Sequence, residues 1–378
     1  MLLSITYLAL AVIYALVIIY FYLGLFRLPR VKPANFSPKV SILVPARNEE
    51  ASILRCLKSL WNQSYPKEKY EVIIIDDHST DATAAVVELF IESKPNFTLL
   101  RHNKSPLTPT FKKQALDFGL KSVTGDLIMT IDADTVAQPK WIEEILGHYQ
   151  SNTGMVAGLI TFDKELETTI FHKIQTLEFA GIVFCGVGAV GNNNPVICNG
   201  SNLSYRLKAF KDAGGYKGNE HLPSGDDDLL LQKIHTQTNW EITYSLSPAS
   251  INYTAPISSL KGFINQRARW ASKSLHYPKR WLLLLMLSVY FFYAFTLILI
   301  PLSIFQLFSW KIYLVGILLK IFPEYLILMK GLKILNRREL IWYFIPAQFF
   351  QSLYVLIVGF LGFNKKYTWK GKNGNSLS

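Results

Sequence analysis

The chain is poor in cysteine and in charge. Of its 378 residues only three are cysteine: Cys56, Cys185 and Cys198. Their spacing matches no metal-ligand pattern and three thiols cannot all pair. Neither a zinc cluster nor a disulfide scaffold is encoded, and buried, reduced thiols are expected. Charged residues make up 17% of the chain and hydrophobic ones 50%, a balance more apolar than that of a typical soluble domain. Residues 2–26 contain no charge at all. They lack the basic start and short apolar core of a cleaved signal peptide. Internal repeats and low-complexity tracts are absent. The late apolar segments carry few ionisable residues, Lys320 and Glu324 among them, whereas a transporter or channel would need such residues along its pathway.

The apolar residues are concentrated at the two ends of the chain. Residues 2–26 are long enough to cross a bilayer, which takes about 20 residues. Residues 281–305, 312–329 and 340–363 are each long enough as well. The formal net charge is +12, and much of the excess flanks these segments: Arg27, Arg30 and Lys32; Lys279 and Arg280; Arg337 and Arg338; Lys365, Lys366, Lys370 and Lys372. Such flanks mark cytoplasmic ends facing anionic lipid, not a nucleic-acid surface. Arg27, Arg30 and Lys32 put the middle of the chain on the cytoplasmic side. At the C-terminus two rules conflict. Four full crossings would leave the tail outside, while its lysines call for the inside. One of the three late segments being re-entrant or interfacial would reconcile them.

After a linker at 33–38 the pattern becomes that of a soluble α/β domain. Residues 40–45 (VSILVP), 71–75 (EVIII), 98–100 and 127–131 (LIMTI) read as strands. Residues 49–61, 82–92 and 112–121 read as helices. This alternation predicts a mostly parallel sheet with helices on both faces. Ligands of such sheets bind beyond the carboxyl ends of the strands, and that is where the acids fall.

Asp132-Ala133-Asp134 follows a buried run. Its carboxylates are suited to Mg²⁺ or Mn²⁺ through oxygen ligands, although a solvated turn has the same pattern. Asp76 and Asp77 can accept from a nucleobase N–H or a ribose hydroxyl. Ser79 or Thr80 can cap the helix beginning near Asp81, and His78 reads as a turn residue. Ser224-Gly225-Asp226-Asp227-Asp228 crowds three carboxylates, which can raise a pKa and supply a base; it is equally an acidic helix start. In Gln266-Arg267-Ala268-Arg269-Trp270, arginine suits phosphate and tryptophan a sugar face, or the segment is a basic interfacial helix.

Taken in order, these segments resemble the membrane-integrated branch of the family 2 glycosyltransferases over roughly residues 39–275. The resemblance rests on residues 42–50 (ILVPARNEE), 74–81 (IIDDHSTD), 112–119 (KKQALDFG, with Asp117 in place of the usual Asn), Asp132–Asp134, 198–216, 225–229 and the Gln266–Trp270 Q-x-x-R-W. It implies an α/β GT-A nucleotide-sugar-binding domain with transmembrane helices at both ends. The expected divisions are a transmembrane helix at 1–27, a cytoplasmic GT-A domain at 38–275, transmembrane or interfacial helices at 276–364 and a basic tail at 365–378. It also implies an inverting reaction with Asp226 or Asp227 as base, Asp226 fitting the family's D-x-D-L spacing. Asp134 and Asp132 would hold Mg²⁺ or Mn²⁺. Pro45, Arg47, Glu49, Asp76, Asp77, Lys112, Asp132 and Arg269 would contact the donor, a uridine-diphosphate sugar. Asn199, Gly200, Gln266 and Trp270 would contact the acceptor. The expected acceptor is a membrane lipid or, alternatively, a growing glycan, and a bacterial inner membrane is the expected site.

Overall fold

The computed structural model describes residues 1–29, 36–102, 112–219, 222, 225–273, 276–277 and 280–364, together with the backbone of 368–369 and 372–373. Arg30, Lys32, Ser224, Lys279, Lys365, Lys366 and Lys370, named above, lie outside the described residues, as does the side chain of Lys372. The chain forms two compact units. One comprises Leu28–Leu166 and Ala189–Ala255; the other comprises Met1–Arg27, Glu167–Gly188 and Pro256–Ser378.

The first unit contains strands β1 (Val40–Ala46), β2 (Tyr70–Asp76), β3 (Phe97–Arg101), β4 (Leu127–Thr130), β5 (Thr153–Gly158), β6 (Ile160–Phe162), β7 (Leu203–Arg206), β8 (Glu241–Ser245) and β9 (Asn252–Thr254). Seven of them form a sheet in the order β3-β2-β1-β4-β7-β5-β8. β3, β2, β1 and β4 are mutually parallel. β7 runs antiparallel to both its neighbours, and β5 and β8 are parallel to each other. β6 and β9 pair separately. Helices α2 (Ile53–Trp61), α3 (Thr83–Ile91), α4 (Lys112–Gly119) and α5 (Trp141–Leu146) connect the first strands.

β1, β2 and β4 are buried along nearly their whole length, which is why they read as continuous apolar runs and not as alternating patterns. Ile42, Val44, Val72, Ile74 and Met129 pack with Ile53, Leu57, Leu60 and Trp141 in one core. Each such burial contributes about 1.5–3 kcal/mol. The helix expected from residue 49 starts at Ile53 because residues 49–52 form a turn, with Ser52 N donating to the Glu49 carbonyl at 3.0 Å. Asp81, and not Ser79 or Thr80, receives the first amide of α3, at 3.0 Å from Thr83 N.

The second unit holds α1 (Leu2–Gly24), most of α6 (Ile170–Gly191), α9 (Leu260–Lys273), α10 (Arg280–Ile304), α11 (Trp310–Ile334) and α12 (Phe344–Phe363); α7 (Leu207–Asp212) and α8 (Asp228–Gln237) belong to the first unit. Among the described residues, five helical segments are long and apolar enough to cross a membrane. Ile170–Gly191, which is not among the apolar segments named above, lies between strands of one sheet, within the stretch whose pattern reads as a soluble domain. Its length would allow a crossing, but a single crossing would send β7 and β8 to the opposite side from β4 and β5, with which they pair. α11 runs five residues beyond the segment expected to end at 329, which shortens the loop carrying Arg337 and Arg338.

Candidate active site

Parallel β1, β2 and β4 bring Ala46, Asp76 and Thr130 to one end of the sheet. Because β7 is antiparallel, its first residue, Leu203, pairs with Thr130 at that same end. The segment entering β7, Asn199 to Asn202, therefore lies beside the Asp132 turn. Thr130 Oγ1 donates to the Gly200 carbonyl at 2.7 Å, and Ser201 Oγ donates to the Asp132 carboxylate. Asn199 folds on itself, its Oδ1 accepting from Ser201 N at 2.9 Å.

Lys112, the first residue of α4, joins two acids far apart in the chain. Its Nζ lies 2.5 Å from Asp132 Oδ1 and 3.0 Å from Asp226 Oδ2. Burial disfavours the charged ammonium, but Asp132 and Asp226 together outweigh it and push Lys112 up. Burial would likewise raise Asp132, yet the Lys112 charge and the hydrogen bonds from Lys112 and Ser201 hold it below the ordinary aspartate range. Gly200 closes the cluster: a Cβ there would meet Asp226 Oδ2 at 2.9 Å and Lys112 Nζ at 3.0 Å.

Asp226 and Asp227 differ in their surroundings. Asp227 caps α8, its Oδ1 accepting from Asp228 N at 2.8 Å and its Oδ2 from Gly200 N at 3.2 Å. The Asp226 side chain is 9% exposed and meets the Lys112 ammonium. Asp134 accepts from Thr135 Oγ1 at 3.2 Å. Burial, then Asp134 and Asp132, push the Cys56 thiol well up, so it stays protonated and donates to the Asp132 carbonyl at 3.6 Å. Asp132 and Asp134 offer only oxygen, a donor set that suits a hard divalent cation.

A second cluster lies at the end of β2. Asp77 Oδ1 is 3.1 Å from His78 Nδ1 and 3.0 Å from His102 Nδ1, and Asp77 Oδ2 is 3.9 Å from Arg47 Nη1. Among the described residues, Asp77, His78 and His102 also bring three ligand atoms within 4.8 Å of one another. His78 adopts φ 60°, as its turn position requires. His102 follows β3 and is buried; nothing in its local sequence singles it out. Asp76 is buried and accepts from Ser79 N at 3.2 Å. Pro45 lies within β1. Glu49 precedes α2, its carboxylate accepting from Ser52 Oγ at 2.8 Å.

Gln266, Arg269 and Trp270 lie on α9 in the other unit. There the buried cation is Arg267, which the sequence reading passed over. It pairs with Glu178 at 2.6 Å, stands 4.2 Å over the Trp270 ring and donates to the Gln266 side chain.

A mixed sheet with acids gathered beyond the carboxyl ends of its strands defines a GT-A-like fold. A mannosyltransferase, PcManGT from Pyrobaculum calidifontis, solved in complex with GDP-Man and Mn²⁺, superposes with a TM-score of 0.60 at 18% identity, covering 95% of this chain and 98% of that one. Residues 41–214 match Glycosyl transferase family 2. Poly-beta-1,6-N-acetyl-D-glucosamine synthase of Staphylococcus epidermidis is 27% identical over 61% of this chain and 53% of its own length. Beta-monoglucosyldiacylglycerol synthase of a Nostoc species is 28% identical over 62% of this chain and 48% of its own. The chain thus spans about half the length of these relatives.

Proposed function

We propose that the protein is an inverting glycosyltransferase. It moves a sugar from a nucleotide diphosphate, by our reading uridine diphosphate, to the hydroxyl of a membrane lipid. The observation that carries this reading is the Lys112 bridge between Asp132 and Asp226. It brings the acid after β4, where a family 2 domain receives its donor, to the acid before α8, which stands free of the capping role that occupies Asp227.

In this reading Asp226 takes the proton of the acceptor hydroxyl. The acceptor oxygen forms a bond to the anomeric carbon from the face opposite the leaving group. The bond from that carbon to the phosphate oxygen breaks, and its electron pair departs with the diphosphate. Asp132 and Asp134 would hold Mg²⁺ or Mn²⁺, which would neutralise charge on the diphosphate. Lys112 contacts the nucleotide side of that group, Asp76 and Asp77 hold the base, and Arg47 orients Asp77. Pro45 and Glu49 line the donor side. Asn199 and Gly200 line the acceptor side. By this reading the catalytic domain faces the cytoplasm of a bacterial inner membrane, an orientation that the cationic flanks support.

The test is turnover by detergent-solubilised protein with single UDP-sugars, Mn²⁺ or Mg²⁺ and a total lipid extract. A product one sugar heavier than a lipid, lost on chelation, supports the reading. A ladder of additions would make the protein a polysaccharide synthase instead. Transfer at wild-type rate by Asp226→Asn would remove that residue from the base role.

A further inference from the structure

Four late or early apolar helices and a basic tail make contradictory demands on topology, and the packing of the second unit resolves them. α1, α10 and α11 form one bundle. Tyr7 stacks on Phe292 at 5.9 Å and on Tyr313 at 6.1 Å. Tyr14 OH lies 3.1 Å from Tyr293 OH and also binds Glu324. Lys330 sits 4.7 Å from the Phe26 ring, so the end of α11 returns to the end where α1 finishes.

α12 packs on this bundle, Lys320 of α11 donating to Gln348 and, at 3.0 Å, to Gln351, but it does not run parallel to the bundle's helices. Gln348 donates to Glu324 at 2.9 Å, and Glu324 is also reached by Tyr293 at 3.4 Å. Gln348 and Tyr293 are therefore at one level. If α12 were a further outgoing span alongside α10, Gly359, about 16 Å farther along its helix, would lie near the far end of α10. Instead Gly359 presses on Tyr290, with a Cβ 2.6 Å from the ring, and Tyr290 OH donates to the Leu356 carbonyl at 3.4 Å. Tyr290 is about 4.5 Å from Tyr293 in the direction of Arg280. Over some 16 Å of its length α12 has turned back toward the end at which α10 begins.

Its other partners cannot be spans. Phe350 and Tyr354 pack on Phe263 of α9 at 5.6 and 5.3 Å, and a Cβ on Gly362 would touch the Ala268 carbonyl at 2.9 Å. α12 therefore lies lengthwise along a helix of 14 residues that carries Lys261, Arg267, Arg269 and Lys273. Tyr354 OH donates to Glu178 of α6 at 2.8 Å, and Glu178 also pairs with Arg267. α6 is the helix whose crossing strand pairing forbids. The opposite face of α12 is an apolar stripe left open: Ile345, Phe349, Leu353, Phe360 and Phe363 are 55, 79, 57, 58 and 71% exposed.

We propose that α12 does not cross the bilayer. Together with α6 and α9 it lies in the leaflet on the side where α1 ends, its stripe against acyl chains. Three helices, α1, α10 and α11, cross. This rests on the membrane reading given above. It places Arg27, Arg280, Lys333, Arg337 and Arg338 on one face, as the positive-inside rule requires, and puts Lys311 near the other.

The test is cysteine labelling with a membrane-impermeant maleimide, in intact spheroplasts and in inverted vesicles, against the parent protein as background. Asn364→Cys reports the end of α12, Ser309→Cys the turn between α10 and α11, and Ser151→Cys the catalytic unit. The expected result is that Asn364→Cys and Ser151→Cys label only in inverted vesicles and Ser309→Cys only in spheroplasts. Labelling of Asn364→Cys in spheroplasts would overturn the proposal while keeping the membrane reading. Labelling of Ser309→Cys and Ser151→Cys from one side, or extraction of the protein by carbonate, would overturn both. Ser376→Cys repeats the measurement should Asn364→Cys fail to accumulate.

Discussion

Replacing Lys112 by Met removes the cation that bridges Asp132 and Asp226 and keeps most of its apolar stem. At an effective dielectric of about 20, a unit charge pair near 3 Å is worth roughly 5 kcal/mol before desolvation. Drying the ammonium cancels much of that gain. The two pairs are not equal. The Asp132 side chain is 37% exposed, whereas that of Asp226 is 9% exposed, so solvent screens the shorter contact more. We expect Lys112→Met to cost about 2–3 kcal/mol. In double-mutant cycles the coupling of Lys112 to Asp226 should be about 1–2 kcal/mol and that to Asp132 under about 1 kcal/mol, although the Asp132 contact is the shorter. Apparent unfolding of the detergent-solubilised protein, followed by intrinsic fluorescence, measures both. Acid provides a second reading. Asp132 is held below its ordinary value, so its contribution is present above about pH 4 and is lost as pH falls through the folded value. Lys112 is pushed up, so its part persists through neutral pH and disappears only at strongly alkaline pH. Lys112→Met should flatten the acid-side loss. Unchanged stability in that variant, or stronger coupling to Asp132 than to Asp226, would refute the reasoning.

Three further outcomes are expected. Gly200→Ala should lower transfer at least tenfold with little change in unfolding, because the added methyl meets the Asp226 carboxylate and the Lys112 ammonium; steady-state rates beside a melting curve check it. Asp227→Ala should cost about 1 kcal/mol of stability through loss of the α8 cap and leave measurable transfer, while Asp226→Asn should cost about 1–2 kcal/mol through loss of its coupling to Lys112 and abolish transfer, which the same two assays separate. Burial pushes His148 down to about 4. Its unfolded form protonates first as pH falls, so stability present above about pH 6.5 declines by up to about 3 kcal/mol by pH 4, and His148→Gln should remove that part of the slope in an unfolding titration.

Much of this protein is legible from its residues in order. β1, β2 and β4 are buried along nearly their whole length and read as apolar runs, and those of β2 and β4 lead into acids, so both the strands and the placing of Asp76, Asp77 and Asp132 at one end followed from pattern alone. The segments 2–26, 281–305 and 312–329 were visible because length and absence of charge are local properties. Other features depend on what the chain meets after folding. That Asn199 to Asn202 stands beside Asp132 follows from β7 being antiparallel, and a strand's direction is not written in its own composition. His102 enters the Asp77 cluster only because β3 pairs with β2. α6 resembles a span in hydropathy, and only the strand pairs on either side of it rule out a crossing. Arg267 and Arg269 are two residues apart with the same local chemistry, yet one is buried on Glu178 and Trp270. Which of them is buried is decided by the partner helix that supplies the carboxylate, and that helix lies about ninety residues earlier in the chain.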